Sequence, residues 1–189
     1  MRVISGKLKG RSIETINDHS TRPTSDKVKE SLFNIIGPYF SSGKVLDLFA
    51  GSGGLGIEAI SRGADHAIFV DQQRRVVQVI KKNLASLNIT EQAEVYQNDA
   101  FRALKALGKR KVKFNYIFID PPYNKNVYQL LMEEIVKQNI ISNDTIIVCE
   151  HDQKLNLADQ IALFKKTRTE KYGSSIAISF YKRKDEENE

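Results

Sequence analysis

The sequence predicts an α/β protein of Rossmann-like, three-layer architecture, and three observations predict it. From Lys44 to Cys149 short apolar runs alternate with amphipathic helical segments, the pattern of repeated β-α units around a mostly parallel sheet. Four of those runs lead into an acid: Asp47, Asp71, Asp99 and Asp120. The chain then closes on two runs, 164–172 and 175–181, flanking Gly173-Ser174 as in an antiparallel hairpin. Seven strands are expected, the last of them antiparallel.

Each element has its own reason. Arg2 to Ile13 alternates and turns at Gly6 and Gly10, which reads as a small β-hairpin exposing Arg2, Lys7, Lys9 and Arg11. Arg22-Pro23-Thr24-Ser25 introduces a helix, with Thr24 or Ser25 as its N-cap and Val28, Leu32, Ile35 and Ile36 at the 3.6-residue period. Strand one is 45–48, followed by a glycine loop and a helix through Ile60. Strand two is 67–70, and the next helix aligns Val76, Val77, Ile80, Leu84 and Leu87. Strand three is 93–97. A short helix (Phe101, Leu104, Leu107) precedes strand four, 116–119, and a helix with Leu130, Leu131, Ile135 and Val136 precedes strand five, 145–149. No linker or repeat divides the chain. Residues 1–40 read as an arm packed on the core, 41–184 as the core, and 185–189 as an acidic, disordered tail.

A chain of 189 residues with 41% hydrophobic and 28% charged content is one globular domain. It has no apolar run of membrane-spanning length and no signal peptide, and its single cysteine, Cys149, lies in a strand-like run. A cytoplasmic monomer is expected. The net charge is +6, but the last five residues hold four of the 23 acids. The remainder carries 29 basic and 19 acidic residues, a balance suited to nucleic acid. His19, His66 and His151 are scattered, and no cluster has metal-ligand spacing, so no metal is expected.

Asp120-Pro121-Pro122-Tyr123 carries the most chemistry. Two prolines cannot continue a ladder, so the strand ends there and leaves Asp120 at the carboxyl edge of the sheet, where open α/β proteins bind ligands. A carboxylate and a proline carbonyl can accept the N–H groups of a nucleobase amine while the tyrosine stacks on the base. Holding those hydrogens out of the ring plane localises the nitrogen lone pair and stabilises charge developing on it. The plainer reading is a turn after a core strand.

Gly51-Ser52-Gly53-Gly54-Leu55-Gly56 matches the dinucleotide fingerprint, yet Asp47 stands four residues before it. A carboxylate repels a pyrophosphate and attracts the ammonium of S-adenosylmethionine, so 47–53, including Phe49, Ala50, Gly51, Ser52 and Gly53, favours a methyl donor. Asp71 is placed to accept the ribose hydroxyls. Asn98 and Asp99, with Ala100 beside them, are placed to receive the adenine. Helix capping is the plainer reading of each acid, and its weakness is that four strands repeat the pattern.

The loop from Asp47 to Gly53, together with Asp120 to Tyr123, resembles the amino-group methyltransferases that act on adenine, cytosine or guanine. The segment 22–34, RPTSDKVKESLFN, with 4–11, ISGKLKGR, narrows the likeness to the bacterial 16S ribosomal RNA guanine-N2 methyltransferases. The resemblance spans nearly the whole chain, including Tyr172-Gly173. It departs at Asp71, where glutamate is expected. It implies a class I S-adenosylmethionine-dependent fold and methylation of one guanine of the small subunit on the assembled 30S particle. It further implies Asp120, Pro121, Pro122 and Tyr123 as the catalytic set. It suggests that Arg22, with Thr24, helps close the arm over the cofactor or the RNA, a surface charge before a proline turn being the plainer reading of Arg22. By their charge Arg2, Lys7, Lys9 and Arg11 of the hairpin are phosphate-contact candidates, a solvated face being the plainer reading, and Lys125 and Asn126 are RNA-contact candidates by proximity to the Asp120–Tyr123 motif. Rival readings are an adenine-N6 or cytosine-N4 methyltransferase, a non-catalytic RNA-binding assembly factor, and, disfavoured by Asp47, a dinucleotide oxidoreductase.

Overall fold

The computed structural model describes residues 1–16, 25–122 and 127–184. Elements follow in the order α1 (Asp26–Ile36), β1 (Lys44–Asp47), α2 (Gly54–Ser61), β2 (His66–Asp71), α3 (Arg74–Ser86), β3 (Ala93–Gln97), α4 (Ala100–Lys109) and β4 (Phe114–Ile119). Then come α5 (Tyr128–Lys137), β5 (Ile141–Asp152), β6 (Gln160–Ile161), β7 (Phe164–Tyr172) and β8 (Ile176–Arg183). One sheet has the strand order β3-β2-β1-β4-β5-β8-β7-β6. The first five strands in that order are parallel; β8 runs antiparallel to both β5 and β7.

Helices cover both faces, as buried parallel strands require. Val45, Phe69, Phe118, Val148 and Ile178 face Leu32 and Phe33 of α1, Ile57 of α2 and Ile80 of α3. Leu46, Ile68, Ile117, Ile147 and Cys149 face Leu104 of α4 and Leu131, Met132 and Ile135 of α5. Ser25 caps α1, its hydroxyl accepting from Val28 N–H, which settles the choice between Thr24 and Ser25.

The last strand, β8, is antiparallel as expected and lies between β5 and β7. Three expectations need correction. The sheet has eight strands, because two residues of β6 add to β7, too short a pairing to leave a pattern in sequence. Strand five runs twelve residues, its polar start tied down where Thr145 Oγ1 and Ser142 Oγ both donate to Phe114 O, at 2.7 Å and 3.0 Å. On α5, Leu130 is 55% exposed, and Tyr128, Leu131, Met132 and Ile135 form the inner face. The amino-terminal hairpin is real but barely laddered: its single bridge joins Arg2 and Ser12, and Gly6 and Gly10 take φ +84° and +81°.

The amino-terminal strand is fixed by a charge cluster inside the protein. Glu58 of α2 is fully buried and accepts from Ile4 N–H at 2.9 Å, Ser5 N–H at 3.0 Å and Arg62 Nε at 2.8 Å. Lys29 of α1, equally buried, lies 3.5 Å from Glu58 and donates to Arg2 O at 2.6 Å. Burial lowers the Lys29 pKa from its ordinary value, opposed by Glu58. Arg62 also donates to Pro38 O and lies over the Phe33 ring at 4.9 Å. Two cations thus converge on one anion that also binds the arm backbone.

Removing one member of a buried ion pair costs about 3–5 kcal/mol, since the partner stays buried without compensation. Glu58→Gln is therefore expected to lower the melting temperature by about 10 °C, followed by circular dichroism. A melt within about 2 °C of the parent would show that the cluster is not what holds the arm.

Candidate active site

The site is built from strand ends. Phe69 of β2 and Phe118 of β4 are both in register with Asp47 of β1, and Phe118 is in register with Val148 of β5. These residues turn to the face covered by α1 to α3. Two residues beyond Phe69, Phe118 and Val148, the same alternation brings Asp71, Asp120 and Glu150 out on that face. Four carboxylates therefore stand along the carboxyl edge in the order Asp71, Asp47, Asp120, Glu150.

Asp47 and Asp71 are met by backbone amides. Asp47, 3% exposed, accepts from Gly56 N–H at 3.0 Å through Oδ2. Asp71 accepts from Gln73 N–H at 2.9 Å and Gly51 N–H at 3.3 Å. Among the described residues, no ion pair engages Asp47, Asp71 or Asp120. Burial pushes the Asp47 carboxyl up to about 7, and Asp71 adds to the rise. Burial, then Glu150, then Asp47 push Asp120 well above the ordinary carboxylate range. Burial raises Asp71 as well.

The glycine turn leaves room beside these acids. Gly51 adopts φ +53°, and a Cβ there would meet nothing within 4 Å. Gly56 is needed for another reason: its Cβ would fall 2.3 Å from the Phe69 ring, so its absence lets α2 lie against β2. An open backbone cradle beside Asp47 and Asp71, which have no ion-pair partner among the described residues, suits a cationic ligand and repels a pyrophosphate. S-adenosylmethionine, with a sulfonium and an ammonium, fits that donor set, and a dinucleotide does not.

The other sequence-predicted residues divide. Phe49 and Ser52 are half-buried and Ala50 and Gly53 buried in the same turn. Asn98 accepts from Asp99 N–H, and Asp99 caps α4 by accepting from Phe101 and Arg102 N–H, so its capping role is present whatever else it does. Ala100, the first residue of α4, is buried. Pro121 is buried and Pro122 exposed at the end of β4. Tyr123, Lys125, Asn126, Arg22, Thr24, His19 and the acidic tail lie outside the described residues.

Lys7 and Arg11 of the basic arm are not at this edge. Lys7 N–H donates to Ser61 O, at the far end of α2, and Lys7 Nζ to Gln92, just before β3. Arg11 donates to Ser86 O, the last residue of α3, and Arg2 pairs with Asp26 at 3.0 Å. The tip carrying Lys7, Lys9 and Arg11 therefore sits at the amino edge, about 20 Å away by the length of the thirteen-residue α3.

Sequence reasoning missed Glu150, 5% exposed on β5. The signal was present, since a fifth apolar run also leads into an acid, but ending that strand at Cys149 hid it. It missed Lys29, Glu58 and Arg62 for the usual reason that charged residues are assigned to the surface. His151, expected to be a structural or surface residue, is buried with Nε2 2.8 Å from Ser179 Oγ and Nδ1 2.9 Å from Asp152 O. Among the described residues no helix is long and apolar enough to cross a membrane, and no cluster of three or more His, Cys, Asp or Glu could hold a metal ion.

The sheet order, the glycine turn after β1 and the antiparallel hairpin define a class I S-adenosylmethionine-dependent methyltransferase fold. Residues 1–182 match the family model described as conserved hypothetical protein 95, and the chain belongs to that family. A Bacillus subtilis protein named putative rRNA methyltransferase YlbH is 50% identical, covering 97% of this chain and all of that one. Ribosomal RNA small subunit methyltransferase D of Haemophilus influenzae is 35% identical over 89% of each chain. A solved structure, putative methyltransferase yhhF from Escherichia coli, superposes with TM-score 0.83 at 31% identity, over 97% of this chain and 98% of that one.

Because its proton affinity is higher folded than unfolded, Asp47 contributes stability below about pH 4 and loses it as pH rises to about 7. Asp47→Asn keeps an oxygen for Gly56 N–H and removes the charge. Its melting temperature should match wild type near pH 4, exceed it by about 2–4 °C per kcal/mol above pH 7, and coincide with lost S-adenosylmethionine binding by calorimetry. A gap independent of pH would show that the Asp47 charge is not the cause.

Proposed function

We propose that this protein transfers a methyl group from S-adenosylmethionine to the exocyclic N2 amine of a guanine in small-subunit ribosomal RNA, with the assembled 30S particle as substrate. The observation that carries the chemistry is Asp120: a carboxylate among other acids, at the carboxyl edge, followed by two prolines. The small-subunit target follows the relatives' names and the resemblance of the arm and of Asp120 to Tyr123.

S-adenosylmethionine supplies a methyl group made electrophilic by the sulfonium. Asp47 and the turn through Phe49, Ala50, Gly51, Ser52 and Gly53 hold the cationic methionine end, Asp71 the ribose, and Asn98, Asp99 and Ala100 the adenine edge. Arg22 and Thr24 close the arm above. The guanine leaves its stack to reach the edge. Asp120 and the carbonyl of Pro121 or Pro122 accept the N2 hydrogens, and Tyr123, next in the chain, supplies the stacking ring. The high proton affinity of Asp120 makes it a better acceptor for the proton that N2 gives up than an ordinary carboxylate. Lys7, Lys9 and Arg11 contact phosphates along the flank of α2 and α3, Arg2 contacts them beside α1, and Lys125 and Asn126 supply further RNA contacts.

The test is transfer of labelled methyl to unmodified small subunits, naked 16S RNA and duplex DNA, with products digested to nucleosides. N2-methylguanosine from the ribosomal substrate is expected. Asp120→Asn should reduce the rate at least about 100-fold while S-adenosylmethionine still binds. Label in methylated adenine or cytosine, or an active Asp120→Asn enzyme, would overturn the reading.

A further inference from the structure

We propose that Asp120 and Glu150 together read the donor edge of the target guanine, Asp120 accepting from the N2 amine and Glu150 from N1–H. This rests on methyl transfer to guanine N2 as proposed above, and it assigns the choice of base to a named residue.

The argument begins with sheet order. Along β2-β1-β4-β5 the acids run Asp71, Asp47, Asp120, Glu150. The glycine turn follows β1, so Asp47 and Asp71 stand on the cofactor side of Asp120 and Glu150 on the other. Glu150 is thus placed toward the acceptor. Ile119 of β4 pairs with Cys149 of β5, which sets Asp120 beside Glu150 on adjacent strands about 4.8 Å apart. Ile178 of β8 lies in register with Glu150 and is fully buried. Tyr128 at the start of α5 donates to the Glu150 carbonyl at 2.6 Å, holding this strand end in place. The negative charge of Glu150 is felt at Asp120, so the two carboxylates act on one small region.

Two adjacent acceptors match one base. Guanine presents N1–H and the N2 amine side by side, both donors. Adenine sets its N6 amine beside the bare N1 lone pair, and cytosine sets its N4 amine beside N3. A second carboxylate next to the amine acceptor therefore completes a donor pair on guanine and faces a lone pair on either rival. A site built to pair a buried donor rejects the analogue that lacks it far more strongly than an apolar pocket rejects a wrong shape.

The experiment uses the full chain and small subunits reconstituted with 16S RNA carrying guanosine or 2-aminopurine at the mapped target. 2-Aminopurine keeps the N2 amine, but its N1 is an unprotonated acceptor. Wild type should prefer guanosine by about 100-fold or more in kcat/KM. Glu150→Gln offers an amide donor to the bare N1, so guanosine turnover should fall about 10-fold or more and the preference should collapse. S-adenosylmethionine binding by the variant reports that it is folded. Equal loss on both substrates, or wild type methylating 2-aminopurine as well as guanosine, would overturn the assignment; the latter result needs no variant to fold. Absence of N2-methylguanosine from wild type on unmodified subunits would instead mark failure of the methyl-transfer reading itself, and this inference with it.

Discussion

The in-register ends of β2, β1, β4 and β5 are the constraint on which the site depends. Parallel pairing aligns Phe69, Asp47, Phe118 and Val148, and alternation then delivers Asp71, Asp120 and Glu150 to the same face. A one-residue slip of any of these strands would turn its acid to the face of α4 and α5. The large buried side chains Phe69 and Phe118 fix the register through packing, so the carboxylates are placed by the hydrophobic core beneath them.

The protein handles buried charge in two opposite ways on this one face. Glu58 receives Arg62, Lys29 and two backbone amides, and ties the arm, α1 and α2 together. Asp47, Asp71 and Asp120 have no ion-pair partner among the described residues, so each proton they bind stabilises the folded state and each charge they carry destabilises it. A cation arriving at the edge reverses that sign. The same charges that weaken the free protein strengthen the complex with a sulfonium or a base-edge donor. The neutralised cluster at Glu58 keeps α1 and α2 anchored while the edge stays strained.

Much of this was legible in sequence because burial on both sides of a parallel strand leaves uninterrupted apolar runs, and the acid after each run marks the edge. The limits followed the same rule. Glu150 was hidden because its strand runs on through His151 and Asp152, so no turn residue marked an end. Lys29 lies one helical turn from Phe33 and two from Ile36, within the inner face of α1, but a lysine there reads as solvent-facing until Glu58 is seen opposite. Leu130 misled because the buried face of α5 is made by Tyr128, Leu131, Met132 and Ile135, a phase that leaves Leu130 outward. The arm hairpin was visible, yet the end of the sheet it would reach was not, since that depends on hydrogen bonds to Ser61, Ser86 and Gln92 far along the chain.

That last contact set bears on the size of the partner. If the cations at the hairpin tip bind phosphate, one ligand must reach from the amino edge to Asp120, about 20 Å by the length of α3. A flipped nucleotide with its immediate neighbours fills the edge and leaves the tip untouched. A folded RNA, broad enough to lie along the flank of α2 and α3 while presenting one base at the edge, engages both. On that reading, the separation of the proposed base-reading acids from the cations at the tip favours recognition of a shaped particle over a short sequence, with phosphate contacts setting position and the edge carboxylates setting base identity.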